Sequence, residues 1–154
     1  MKITKAFLKK HDACADAYEW YLEQKTTDGD KLFKTAMKAK MYDEIWWVLR
    51  RKLNKKQSVK IAIYSAEQVK DIFEKRHPND NRPRKAIQTA KRYLKTPTSS
   101  AYAAAASAYA ASADAASADA ASAYAASYAS VYEEKRKVQK KILRYAWRVI
   151  NDNN

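Results

Sequence analysis

Apolar positions recur at helical spacing in one segment of the chain after another. Asp12 can cap a helix running to Glu23, with Cys14, Ala17, Tyr18 and Tyr21 on one face. The polar run KTTDGD, residues 25–30, forms a turn around Gly29, the only glycine. Asp30 can cap the short helix that follows, which carries Leu32, Phe33, Ala36 and Met37. Residues 41–53 bring Tyr42, Ile45, Trp46, Leu49 and Leu53 together. Asn54 with Gln57 resembles a capping box. The helix it would start bears Val59, Ala62, Ile63, Ala66, Val69 and Phe73 on one stripe. The loop HPNDNRP, residues 77–83, ends that helix, and Pro83 suits the first turn of the next. That helix buries Ala86, Ile87, Ala90 and Leu94 before Pro97 closes it. Val138, Ile142, Tyr145, Ala146 and Val149 make the apolar face of the C-terminal helix. β-Branched runs and Gly-based hairpin turns are missing. The expected fold is therefore all-α: a multi-helix bundle with a long Ala-rich helix or helical hairpin and a basic amphipathic C-terminal helix.

Between Pro97 and the C-terminal segment the pattern changes. Residues 98–130 are almost wholly Ala, Ser and Tyr, with Ser107, Ser112, Ser117, Ser122 and Ser127 at a five-residue step. No Gly, Pro or Lys interrupts the tract. Alanine loses no side-chain entropy in a helix, so helix is expected over disorder, a pentapeptide solenoid or an ice-binding face. On a helical wheel Tyr102, Tyr109, Tyr124, Tyr128 and Tyr132 fall within an arc of roughly 140°. They form a stripe for helix packing or an interface. One helix, or a hairpin broken near Asp114 and Asp119, both fit the pattern. The small side chains would let backbones approach closely, which also suits a homo-oligomer.

The chain has 154 residues, enough for one domain with a sizeable core. The expected organisation is a single domain, 1–154, with a helical core region at 1–97, the Ala/Ser/Tyr tract at 98–130 and a basic helix at 131–154. The net charge is +14, carried by both flanks and not by the tract. Such a balance favours an acidic partner, be it nucleic acid, a phosphorylated small molecule, an anionic membrane or an acidic protein. Lysines that merely solubilise exposed helix faces would give the same number. Cys14 is the only cysteine, which precludes an internal disulfide, and it is expected to be a small buried hydrophobe. Cys14, His11 and His77 make a poor zinc set, so no metal and no cofactor are expected. The N-terminal segment lacks an apolar leader core, and no run is apolar enough for a membrane span. A soluble, cytoplasmic protein with no membrane partner is expected.

Two basic stripes follow from the helix assignments. Arg84, Lys91, Arg92 and Lys95 lie opposite the apolar face of the 83–95 helix. Lys137, Lys141, Arg144 and Arg148 do the same on the last helix, at i, i+4, i+7 and i+11. Each stripe could bind phosphates, or could be only the solvated face of an amphipathic helix. Arg82 and Arg84 flank Pro83 at a helix N-terminus, where free backbone N–H groups and two guanidinium forks could hold a carboxylate or phosphate. Alternatively these arginines pair with Asp80, Asp71 or Glu74 and fix the loop.

Catalysis finds little support. One glycine precludes a Gly-rich phosphate loop. His11 and His77 are far apart, Asp12 and Asp16 are better explained as a cap and a surface residue, and the serines follow helix-surface spacing. Trp20, Trp46, Trp47 and Trp147 are expected in the core rather than on a stacking platform.

The segment DACADAYEWYLEQ, the stretch DNRPRKAI at Asp80–Ile87 and the Ala-rich tract with Tyr or Asp insertions together resemble the putative immunity proteins, an all-helical family common in phages and prophages. The resemblance covers roughly residues 5–132, and DNRPRKAI is its most specific part. It implies a non-enzymatic immunity or counter-defence protein that binds a protein target stoichiometrically, such as an acidic toxin or defence protein. The basic faces and the Arg82/Arg84 loop keep a second expectation open, a binder of nucleic acid or a nucleotide signal. A structural oligomer of close-packed Ala helices is the third.

Overall fold

In the computed structural model, residues 1–98 and 128–152 are described. Among them are seven helices: α1 Lys5–Lys10, α2 Ala15–Glu23, α3 Gly29–Lys38, α4 Tyr42–Lys52, α5 Lys55–Arg76, α6 Arg82–Lys95 and α7 Tyr128–Asn151. No strand occurs among the described residues, and the expected all-α class holds; the one β-type contact is an isolated Lys2–Asp28 bridge. Of the tyrosine stripe, Tyr102, Tyr109 and Tyr124 lie outside the described residues, while Tyr128 and Tyr132 fall on α7. The choice between one Ala-rich helix and a hairpin lies outside them too. Close contacts divide the chain into two units, Met1–Lys52 and Leu53–Asn153.

In the first unit the helix boundaries differ from the expected ones in instructive ways. α1 is capped by Thr4, whose Oγ1 accepts the Phe7 N–H at 3.2 Å. Asp12 does not start α2; it ends α1. Its φ of 54° is left-handed, and the Ala13 N–H donates to Leu8 O while the Asp12 N–H donates to Lys9 O. That is the hydrogen-bond pattern of a Schellman ending, and Asp is among the few non-glycine residues that tolerate the conformation well. The N-cap of α2 passes to Cys14, which is exposed rather than buried. Likewise Asp28, not Asp30, caps α3: its Oδ1 accepts the N–H groups of Asp30 at 2.8 Å and Lys31 at 3.1 Å. Those bonds, that to Lys31 foremost, hold the Asp28 carboxyl below its ordinary range.

The choice of Asp28 is reinforced from the chain start. The Ile3 N–H donates to Thr27 O and the Gly29 N–H to Met1 O, so the first residues lie alongside the α2–α3 turn. Gly29 is buried there, where a side chain would obstruct the approach. The Tyr21 hydroxyl donates to Ile3 O at 3.0 Å, and burial raises its pKa. Ile3, Leu8, Tyr21, Leu32, Ala36, Tyr42, Ile45 and Leu49 are the unit's buried apolar residues.

The second unit is organised around α5, which packs against both α6 and α7. Its sequence allows this because two stripes run along opposite sides. Val59, Ile63 and Ala66 cluster with Ile87, Ala90, Tyr93 and Leu94 of α6. Gln57, Ile61 and Tyr64 share the other side at i, i+4, i+7. The Gln57 side-chain amide donates to Val149 O at 3.2 Å, and the Tyr64 ring stacks on Tyr145 of α7 at 4.0 Å between centroids. The capping box forms as expected: the Asn54 N–H donates to Gln57 Oε1, and the Gln57 N–H to Asn54 Oδ1, both at 2.9 Å. Gln57 is thus buried with its polar groups engaged at once in a local cap and a contact 92 residues away. On α7 the buried stripe is centred on Leu143, Ala146, Trp147, Val149 and Ile150; Val138, Ile142 and Tyr145 are only half-buried.

Candidate functional site

The second unit carries two rows of cations, and they are held very differently. On α6 the expected stripe of Arg84, Lys91, Arg92 and Lys95 is exposed along its length. Half of it is tied to α5. Arg84 donates Nε and Nη2 to Glu74 at 2.6 and 2.7 Å, a two-pronged fork on a carboxylate. Lys91 pairs with Glu67 at 2.7 Å. The two acids and their two partners are each seven residues apart, so the pairs sit like rungs between antiparallel helices. Arg92 and Lys95, nearer the C-terminal end, carry no ion pair among the described residues, and their charge favours a helix C-terminus.

At the other end of α6, Asp80 does the work of a cap. Asn81 occupies the N-cap position without a side-chain bond, while Asp80 Oδ1 accepts the Arg82 N–H at 3.0 Å. The Asp80 carboxylate also accepts the Arg82 guanidinium, through Nε and at 2.6 Å through Nη2. That contact lowers the Asp80 pKa to about 2. Glu74 is lowered in the same way by Arg84, and both guanidinium pKa values are raised in return, each first by its carboxylate hydrogen bond. Arg82 and Arg84 therefore present forks already filled by the chain's own carboxylates.

The α7 row is paired at its first member, Lys137. Lys137, Lys141, Arg144 and Arg148 are all exposed. Lys137 donates to Glu134 at 2.8 Å, which lowers the Glu134 pKa. Lys141, Arg144 and Arg148 carry no ion pair among the described residues. From Lys135 to Asn151 the helix contains seven Lys or Arg and no acid. Like charges one turn apart repel, at a cost of about 0.2–0.5 kcal/mol per pair. Packing of the opposite side of α7, where Leu143 and Ala146 are wholly buried, carries the helix despite this.

The half-buried Tyr145 borders this row, one turn from Lys141 and from Arg148, and its stack with Tyr64 is the principal feature of the surface that sequence reasoning missed. The signal was present in Gln57, Ile61 and Tyr64, a second stripe opposite the obvious one. Of the tryptophans expected in the core, Trp147 is buried, and Trp20, Trp46 and Trp47 are half-buried. Among the described residues, no group of His, Cys, Asp and Glu is arranged to hold a metal ion. No helix among them is long and apolar enough to cross a membrane.

The described residues are thus helical, with a cationic face on α7 that carries no acid from Lys135 to Asn151. The family to which the chain belongs is that described as Imm-5 like putative immunity protein, whose model matches residues 49–152. The match takes in the capping box, the α5–α6 ion pairs and the whole cationic row, and the family suggests an immunity function. No curated protein and no solved structure matches the chain.

Proposed function

We propose that the chain is a stoichiometric immunity or counter-defence protein of the phage type, acting in the cytoplasm, and that it docks an acidic protein target, a toxin or defence protein, on the outer face of α7. The supporting observation is the contrast in neutralisation. The chain places carboxylates opposite Arg84 and Lys91 but none along Lys141, Arg144 and Arg148. A face that sacrifices folding stability to like-charge repulsion, yet keeps its inner side wholly packed, has its charge for a partner rather than for the fold. Tyr145 beside Arg148 adds the aromatic and guanidinium pairing enriched at binding hot spots.

The test is purification of tagged protein from a bacterial lysate, with and without nuclease, beside the variant K141A/R144A/R148A. The reading requires a stoichiometric protein that survives nuclease and is lost from the variant. Recovery of nucleic acid alone, lost on nuclease, steeply salt-dependent and missing from the variant, would transfer the row to phosphate binding.

A further inference from the structure

The unit Met1–Lys52 lies almost wholly outside the family-matched segment and carries a cluster of its own. α1 and α4 bring together three rings. Phe7 lies 4.8 Å from the His11 ring and meets Trp47 edge-on at 6.1 Å. All three residues are half-buried, so part of each side chain faces solvent. Two cations rest on this row: the Arg51 guanidinium sits 3.8 Å above the Trp47 ring, and Lys52 Nζ lies 4.2 Å from the Phe7 centroid. Arg51 is fixed further by an Nη1 donation to Trp47 O at 3.0 Å. Neither cation has a carboxylate partner among the described residues.

The chemistry of this arrangement differs from that of α6. A ring face orients a cation without neutralising it. Arg51 is held over the ring by Nη1, is exposed, and carries no ion pair among the described residues. A guanidinium over an indole beside half-buried rings, with Lys52 alongside and Arg50 the third cation of the same helix end, offers stacking surface and phosphate donors together. That pairing is what unpaired nucleic acid requires: a cation for each phosphate and a plane for each base. An acidic protein surface would use the cations but would leave the rings without a purpose. A duplex would supply phosphates but no free base faces.

We propose that the α1–α4 edge, through Phe7, Trp47, Arg51 and Lys52, is a binding site for single-stranded nucleic acid. It takes phosphate on Arg51 and Lys52 and a base against the Trp47–Arg51 stack. The site is separate from the α7 row and stands whether or not the protein-target reading holds.

The experiment is fluorescence anisotropy of the full chain with a fluorescein-labelled single-stranded oligothymidylate, and with a duplex of the same length. Two variants remove equal charge: R51A/K52A at the site and R144A/R148A on α7. All four residues are exposed, and thermal melts check that both variants fold. The site variant should lose about tenfold or more in affinity for the single strand, and the α7 variant no more than about threefold. The single strand should bind tighter than the duplex, and R51K should retain part of the affinity lost in R51A. Equal losses in the two double variants would reduce the binding to net charge and overturn the proposal. Equal affinity for duplex and single strand, or no binding by the wild type, would overturn it as well.

Discussion

α6 and α7 are both cationic amphipathic helices packed on α5, yet acids of α5 pair with the cations of α6 and not with Lys141, Arg144 or Arg148 of α7. The difference lies in α5. Glu67 and Glu74 flank the stripe that faces α6, so two opposite-charge pairs border the apolar contact of the two helices. The stripe facing α7 is Gln57, Ile61 and Tyr64, with no acid, so α7 is held by a hydrogen bond, a ring stack and apolar burial. Charge on α6 therefore serves largely to position a helix, whereas Lys141, Arg144 and Arg148 of α7 carry no ion pair among the described residues. That separation makes the two helices predict opposite responses to mutation.

The largest expected effect comes from the inner side of α7. Leu143 is wholly buried, and L143A should cost about 2–5 kcal/mol in denaturant unfolding, because the packed site cannot collapse around the void. On the adjacent outer position, R144A should change stability by no more than about 0.5 kcal/mol. If both substitutions cost the same, the division of α7 into a packing face and a free face fails.

Gln57 ranks next. Q57A removes half of the capping box and the bond to Val149 O, and should cost about 1–3 kcal/mol, more than the roughly 1 kcal/mol expected of N54A, which removes only a cap bond. Equal costs would mean that the α5–α7 bond contributes nothing.

Acid acts on the carboxylates that pair with α6. The Asp80 carboxyl is depressed from 3.8 to about 2 by Arg82, so the stabilisation it gives is complete above pH 3.8 and is lost as pH falls through 2. Glu74, depressed by Arg84, follows the same direction. Thermal melts of D80N and wild type should differ above pH 4 and converge toward pH 2; a constant difference would remove Asp80 from the ionic account.

Much of this contrast could be read from the sequence, and what could not has a common cause. Asn54 and Gln57 were legible because a capping box is a local device, complete within four residues. The stripe Val59, Ile63 and Ala66 and its α6 partners Ile87 and Ala90 were legible because one apolar face repeats at a simple period. The caps of α2 and α3 were misplaced by two residues. Asp12, Asp28 and Asp30 have the same capping chemistry, and the choice among them rests on Asp12 turning left-handed and on the Met1 and Thr27 carbonyls bonding across the chain. Cys14 was expected inside because free cysteines usually are, but a helix start placed it outside. The second stripe of α5 escaped because Gln57 is polar and Tyr64 finds its ring partner 81 residues away. Both cation rows were visible in the sequence, and so was pairing of Arg82 and Arg84 with Asp80 and Glu74 as one of two readings; the Lys91–Glu67 pair was not, since it depends on helices meeting.

The smallest stability effect is on α7 itself. R144E places an acid one turn from Lys140, Lys141 and Arg148, and should leave stability unchanged or raise it by a few tenths of a kcal/mol per new pair. Chemical denaturation would detect this, and a clear loss of stability would show that Arg144 has a structural partner.

The most direct test of the central claim is a comparison of captured protein after nuclease for wild type, K141A/R144A/R148A and R92A/K95A, with melting temperatures measured alongside. The account predicts one stoichiometric partner on the wild type and on R92A/K95A, its loss from the α7 variant, and a melting temperature of the α7 variant no lower than that of the wild type. A partner that stays on the α7 variant at wild-type stoichiometry would contradict it.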